Sequence, residues 1–102
     1  IYSIWLFHAE HEDALLILSV GGGTEEVSRP LVKAMQYAKI VGMKILAIVG
    51  SNGGMSKAYA NPCVIVPPVV QERVTPHTEA FQSVILHCIV SHPDLQKHKT
   101  KW

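Results

Sequence analysis

Charge is scarce in this sequence: 17% of its 102 residues are Asp, Glu, Lys or Arg, and the formal net charge is +1. So small a net charge creates no broad field to attract nucleic acid, and we expect no nucleic acid partner. The basic cluster "KHKTKW" is interpreted as a solvated terminus. Long apolar runs are also missing. None approaches the roughly 20 residues of a membrane-spanning helix, so we expect no membrane association.

Cysteine is nearly absent as well. Cys63 and Cys88 lie among apolar residues and lack the spacing of a metal site. We interpret them as buried free thiols, which are typical of a reducing compartment. The opening "IYSIWLF" lacks the basic start of a signal peptide, so we expect a cytoplasmic location.

Apolar residues, in contrast, make up 48% of the sequence. The length predicts a single domain over residues 1–102. A domain of this size buries only a modest fraction of its surface. The surplus of apolar residues therefore favours a surface that a partner subunit or a further part of the chain covers. Because the sequence begins with Ile1 instead of methionine, we interpret it either as a partial domain, truncated at its N-terminus, or as a sequence whose first residues are not given.

Three short apolar runs predict strands that are buried on both faces, as in a parallel sheet. They extend from Ala14 to Val20, from Lys44 to Gly50 and from Cys63 to Pro68. Between the first two, apolar residues recur at helical spacing from Val27 to Val41, and Gly42 is the predicted C-cap. This order predicts an α/β fold with three layers, α/β/α, around a parallel sheet that is short by some strands at one edge.

Further helices are predicted outside this unit. The stretch "SNGGMSKAYANP" predicts a turn and a short helix around residues 55–60. A last helix is predicted over roughly residues 76–90. Its apolar seam would consist of Ala80, Phe81, Val84, Ile85, Cys88 and Ile89. Residues 2–9 are interpreted as a helix end that packs Trp5 and Phe7 on the sheet.

Three consecutive glycines follow the first predicted strand, and the next helix begins shortly after them. Glycine allows an anion to approach the backbone amides, and a helix N-terminus attracts negative charge. The candidate phosphate-binding residues are Ser19, Gly21, Gly22, Gly23, Thr24 and Ser28. A plain turn between strand and helix is the alternative. The stretch does not match a P-loop, and Glu26 replaces the third glycine of a dinucleotide fingerprint.

The stretch "DALLILSVGGGTEEVSRPLVKAMQYAKIVGMKILAIVGSNGGMSKAYANPCVIVPP" resembles the SIS (sugar isomerase) domain, in particular its phosphoheptose isomerase branch. The resemblance is to the carboxyl-terminal half of that family, which has an S-x-S-G-x-S loop and a strand ending in "VP". It implies a flavodoxin/Rossmann-like SIS fold, a phosphorylated sugar as ligand, and self-association as a dimer or tetramer.

The resemblance also assigns positions in the glycine loop. Ser19 matches the first serine of the family and Gly22 its glycine, while Gly21 stands where a second serine is usual. Thr24 matches the helix-opening serine by its spacing from Gly22, and Ser28 matches it by its distance from the helix. We favour Ser28 as the helix cap and phosphate donor, with Thr24 as an additional contact.

On the last helix the resemblance assigns Glu79 and His87, which have the family's eight-residue spacing although glutamine is usual at the first position. It implies that they serve either a divalent metal ion, such as zinc, or proton transfer. Their backbones are about 12 Å apart on a straight helix. Both side chains would therefore have to stretch to bind one shared ion, unless Glu79 lies before the helix. An imidazole can move a proton between sugar carbons, and a His87 that only packs against its neighbours is the alternative.

Arg73 and His77 are further candidates for contact with a sugar phosphate, unless they are only polar residues of a surface loop. The other histidines are interpreted as surface or terminal residues: His8, His11, His92 and His98.

Two functions remain open from the sequence. The resemblance implies an aldose–ketose isomerase of phosphorylated sugars, of the sedoheptulose phosphate type, once N-terminal residues or a partner subunit complete the site. The alternative is a non-catalytic module that senses a phosphosugar or only oligomerises.

Overall fold

A sheet of three parallel strands forms the centre of the protein in the computed structural model, which describes residues 5–99 and 101. The strands are β1 (Ala14–Ser19), β2 (Lys44–Val49) and β3 (Cys63–Ile65), in the order β1-β2-β3. Each strand ends earlier than its apolar run. The predicted parallel sheet is confirmed, with β1 and β3 at its two edges.

Within the described residues, three helices accompany the sheet: α1 (Arg29–Val41), α2 (Ser56–Tyr59) and α3 (Val74–Ser91). Two short 3-10 turns cover Leu6–His8 and Gln71–Arg73. No helix in the described part of the chain is long and apolar enough to cross a membrane.

Helix α1 packs on one face of the sheet and closes the main core. Its residues Val32, Met35 and Ala38 are buried against alternating side chains of the strands. On the strand side this core contains Ile17, Ile45, Ala47 and Val49. At its end, Gly42 has a φ of 88° and donates its N–H to the carbonyls of Ala38 and Lys39, so the predicted glycine C-cap is confirmed.

Helix α3 packs on the opposite face, over β2, and completes the three layers. The side chains that it buries are polar, Thr78 and Gln82. Phe81 and Val84 of the predicted apolar seam are each 53% exposed, so most of this seam lies away from the sheet. The cause is a pair of hydrogen bonds from Gln82 to backbone carbonyls of the strands. Because these bonds direct the Gln82 side of the helix toward the sheet, the apolar seam faces away from it.

The N-terminal expectation is also corrected. Trp5 and Phe7 are 70% and 71% exposed, whereas Leu6 between them packs against the core. A 3-10 turn places successive side chains about 120° apart, so only one of these three can face inward. Residues 2–4 of the predicted helix end lie outside the described residues.

Both cysteines are free, but only one is partly buried. Cys63 is half-buried in β3, and desolvation raises the pKa of its thiol while the Lys57 ammonium offsets part of that rise. Cys88 is exposed on α3, because it belongs to the seam that turns away from the sheet. The interpretation of Cys88 as a buried thiol is therefore wrong.

Gly50, directly after β2, allows α3 to approach the sheet closely. A Cβ atom at this position would overlap the buried side chain of Thr78. Gly21, after β1, faces open space, with no other group within 4 Å of a Cβ atom.

We expect Gly50→Ala to lower the free energy of unfolding by about 1–3 kcal/mol, because overpacking forces Thr78 and α3 to shift. The matched change Gly21→Ala should cost less than about 0.5 kcal/mol, since its methyl group enters open space. Urea unfolding of both variants measures the difference. Equal stability of the two variants would contradict the close packing of α3 on Gly50.

Candidate functional site

Two glycine-bearing loops lie side by side at the carboxyl ends of the strands. One connects β1 to α1 through residues 20–28, and the other connects β2 to α2 through residues 50–55. In an open parallel sheet this is the edge where ligands bind. The candidate phosphate-binding residues lie in the first of these loops, apart from Ser19, which is the last residue of β1.

Backbone contacts hold the two loops together. The Gly22 carbonyl accepts hydrogen bonds from the Ser56 N–H at 3.1 Å and the Ser56 hydroxyl at 2.6 Å, and Ser56 is fully buried. The Gly23 carbonyl accepts the Met55 N–H at 2.7 Å. The first amides of α2 are therefore occupied by the neighbouring loop.

This contact explains part of the glycine run. Gly22 has a φ of 78°, and a Cβ atom there would overlap the carbonyl of Gly53. Gly23 is buried against the first turn of α1 at a φ of 82°. Both positions need glycine for packing, whether or not a ligand binds. Gly21, which is exposed and faces open space, has no such packing reason.

The hydroxyl groups of the loop take part in its turns. Ser19 Oγ accepts the N–H of Gly22 at 3.0 Å, which leaves its own hydrogen to donate elsewhere. Thr24 Oγ1 accepts the N–H groups of Val27 at 2.8 Å and Glu26 at 3.3 Å, an arrangement that folds the loop back on itself. Ser19 is half-buried and Thr24 is exposed.

Ser28 occupies the N-cap position of α1, but its side chain makes no capping hydrogen bond. Its backbone is left-handed, with φ 57° and ψ 41°, whereas a capping side chain requires an extended backbone. The prediction that the Ser28 side chain caps the helix is therefore wrong, although Ser28 does occupy the N-cap position. The first turn is closed instead by the Ser28 carbonyl, which accepts the N–H groups of Leu31 at 2.9 Å and Val32 at 3.4 Å.

Arg29, the first residue of α1, is exposed at this helix N-terminus. Sequence reasoning did not single it out, although a cation directly after the loop serine is a readable signal for an anion site.

Helix α3 is fastened to the carboxyl ends of two strands by one side chain. Gln82 Nε2 donates to the Ile48 carbonyl at 2.7 Å and to the Ser19 carbonyl at 3.2 Å. Sequence reasoning missed this residue. The available signal was the pair Thr78 and Gln82, two polar residues four positions apart and therefore on one side of the helix.

Glu79 and His87 both lie within α3 and are exposed. Because Glu79 is helical, the two backbones are about 12 Å apart along the helix axis, and both side chains would have to stretch to share one ion. Within residues 5–99, no three His, Cys, Asp or Glu side chains come together to hold a metal. These two residues do not fit a complete metal site by themselves.

The other two candidates lie around the start of α3. Arg73 ends the 3-10 turn before α3 and is exposed, and His77 is in the first turns of α3. His77 lines an apolar cavity of about 380 Å³, together with residues such as Val64, Phe81 and Ile85. The structure thus brings Ser19, at the end of β1, together with the glycines, Thr24 and Ser28 of the following loop, and leaves His77 in a separate cavity.

These features define an α/β protein with a parallel sheet and a glycine-rich loop at the carboxyl edge of that sheet. We compared the chain with protein families, with curated proteins and with solved structures. No family model matches the chain. A phosphoheptose isomerase from Pelodictyon phaeoclathratiforme is 42% identical over 55 residues, which are 54% of this chain and 24% of that protein. The phosphoheptose isomerase of Helicobacter pylori is 31% identical over 81 residues, 79% of this chain and 40% of that protein.

The fold has a solved counterpart as well. A phosphoheptose isomerase from Francisella tularensis superposes with a TM-score of 0.63 and 22% identity, over 85% of this chain and 45% of that one. The chain thus spans between about a quarter and a half of the proteins that it matches. The resemblance to the phosphoheptose isomerases is confirmed, and the partial coverage fits a resemblance to one half of them.

We expect Gln82→Met to destabilise the protein by about 1–3 kcal/mol, because two strand carbonyls lose their donor while the side-chain volume is kept. Amide hydrogen exchange should accelerate in α3 more than in α1. The matched control is Ser83→Ala, the exposed neighbour, which should change neither quantity. An unchanged exchange rate in α3 of the Gln82 variant would contradict the anchoring.

Proposed function

We propose that the loop between β1 and α1 binds the phosphate group of a phosphorylated sugar. The observation that carries this proposal is the position of the loop, at the carboxyl end of a parallel strand and directly before a helix N-terminus. The relatives named phosphoheptose isomerase support a phosphosugar as the class of ligand.

The local chemistry of the loop favours an anion. Gly21 is open to solvent, so a phosphate oxygen could approach its backbone without a steric barrier. The Ser28 hydroxyl is not used in capping, and Arg29 adds a positive charge at the N-terminus of α1. The dipole of this 13-residue helix attracts negative charge to the same end.

We further propose that the complete protein is an aldose–ketose isomerase of phosphorylated sugars. That reaction moves a proton between adjacent carbons, which requires a base close to both. His87 and Glu79 are our candidates for this proton transfer. Since their backbones are about 12 Å apart, they would act on one substrate only with groups from a further part of the protein or from a partner subunit.

The same separation favours a second candidate function, a phosphosugar-binding module without catalysis. In that case the loop residues bind the ligand, and Glu79 and His87 remain exposed residues of α3. Both functions predict that a phosphorylated sugar binds, but only the isomerase would convert it.

Thermal unfolding in the presence of ligands tests the proposal. Sedoheptulose phosphate, fructose phosphate, glucosamine phosphate and inorganic phosphate would be titrated separately, because a ligand of the folded state raises Tm by mass action. A larger rise with a sugar phosphate than with inorganic phosphate supports the proposed site. A coupled isomerase assay on the ligand that binds then separates the two functions. No rise at millimolar ligand would contradict both.

We expect Ser28→Ala to weaken sugar-phosphate binding by about 1 kcal/mol or more, roughly fivefold in Kd, because one hydrogen bond to a charged ligand is lost. Isothermal titration calorimetry measures the change. Ser91→Ala, an exposed serine at the end of α3, is the matched control and should bind as the unaltered protein does. An unchanged Kd in the Ser28 variant would remove Ser28 from the site.

A further inference from the structure

Two polar side chains of α3 are buried against the carboxyl ends of the strands. Thr78 is 1% exposed and Gln82 is 9% exposed. They are four residues apart, so they lie next to each other on the side of α3 that faces the sheet. Thr78 packs on Gly50, directly after β2, and Gln82 donates to the carbonyls of Ser19 and Ile48. Burial of a polar atom costs free energy unless a new hydrogen bond replaces the one to water.

One oxygen atom on each of these side chains has no partner in the described part of the chain. Both hydrogen bonds of the Gln82 carboxamide are made by Nε2, and Oε1 accepts none from residues 5–99 or 101. Thr78 Oγ1 likewise makes no hydrogen bond to these residues. Among them, no side-chain oxygen or nitrogen that is sealed from solvent lacks a partner. The two oxygens therefore reach solvent through narrow gaps, although their side chains are almost entirely buried.

The hydrogen-bonding capacity of the two oxygens selects the chemistry of a ligand. Gln82 Oε1 only accepts hydrogen bonds, whereas the Thr78 hydroxyl group donates one and accepts others. An ionised phosphate or carboxylate group has no hydrogen to donate to Oε1. A hydroxyl group of a sugar both donates and accepts, so it satisfies either oxygen. The pair therefore fits the uncharged, hydroxylated part of a ligand.

The pair also lies close to the loop that we propose binds phosphate. Gln82 Nε2 is 3.2 Å from the carbonyl oxygen of Ser19, and Ser19 Oγ in turn accepts the N–H of Gly22 at 3.0 Å. Thr78 lies at the end of the neighbouring strand β2, and adjacent strands are about 4.8 Å apart. A sugar phosphate several carbons long spans such a distance. One ligand can therefore contact the ends of both strands.

We propose that Thr78 Oγ1 and Gln82 Oε1 bind a hydroxyl group of the sugar whose phosphate group the loop between β1 and α1 holds. This inference rests on the proposed function and adds a residue that determines specificity. The loop recognises the charge that every phosphate ester carries, whereas Thr78 distinguishes a hydroxylated ester from an alkyl ester. Because Gln82 also fastens α3 to the strands, Thr78 is the residue whose substitution isolates this role.

Calorimetric titration of Thr78→Val with sedoheptulose phosphate, propyl phosphate and inorganic phosphate tests the proposal. Valine has nearly the shape of threonine but lacks the hydroxyl group. We expect the Kd for sedoheptulose phosphate to rise about two- to tenfold, because one hydrogen bond is lost. The Kd values for propyl phosphate and inorganic phosphate should stay unchanged.

Two further variants are the controls for this titration. Thr78→Ser keeps the hydroxyl group and should bind sedoheptulose phosphate as the unaltered protein does. Ser83→Ala removes an exposed hydroxyl group from the same helix and should also leave the Kd unchanged.

Urea unfolding without ligand separates this role from a structural one. Because Thr78 Oγ1 has no partner among the described residues, Thr78→Val should leave the urea midpoint unchanged or raise it. If the hydroxyl group stabilised the fold through a hydrogen bond, its removal would lower the midpoint, and that result would overturn the proposal.

The titrations also separate this proposal from the proposed phosphate site. If the unaltered protein binds all three ligands equally well, or if Thr78→Val keeps the preference for sedoheptulose phosphate, Thr78 does not recognise the sugar and the proposal is wrong, while phosphate binding stands. If the unaltered protein binds none of the three at millimolar concentration, both are wrong. The comparison of propyl phosphate with sedoheptulose phosphate on the unaltered protein needs no variant to fold.

Discussion

The contact between the two glycine loops at the carboxyl ends of β1 and β2 constrains the rest of the candidate site. Ser56, fully buried, donates both its N–H and its hydroxyl to the Gly22 carbonyl, and a side chain at Gly22 would overlap the backbone of Gly53. Because this pairing fixes the first loop from one side, its other side, with Gly21 and Ser28, faces solvent at the start of α1. The loop is therefore a packing element on one side and is exposed to solvent on the other.

The sheet and α1 could be predicted from the sequence because their causes are local. Continuous apolar runs identify parallel strands, and the spacing that ends at Gly42 identifies a helix and its cap. The orientation of α3 could not be predicted from its apolar seam. It depends on Gln82 reaching carbonyls of β1 and β2, which are distant in the sequence. The left-handed backbone of Ser28 could not be predicted either, because a serine before a helix ordinarily predicts a side-chain cap.

Binding and catalysis make different demands on this chain. The residues proposed for phosphate binding are contributed by one loop and one helix end, so a single chain can supply them. Proton transfer in an isomerase needs groups that converge on two adjacent carbons, whereas the backbones of Glu79 and His87 are about 12 Å apart along α3. The chain spans 40% of the Helicobacter pylori isomerase, and further residues would have to complete such a site.

The most direct test of the phosphate-binding loop is a nitrogen-15 NMR titration of the protein with sedoheptulose phosphate, with inorganic phosphate as the reference. Our account predicts that the amide signals of Gly21 and residues 24–29 shift first, and at lower concentrations of the sugar phosphate than of phosphate. Shifts confined to the cavity between β3 and α3, around Val64 and Phe81, would contradict it, as would no shift at millimolar ligand.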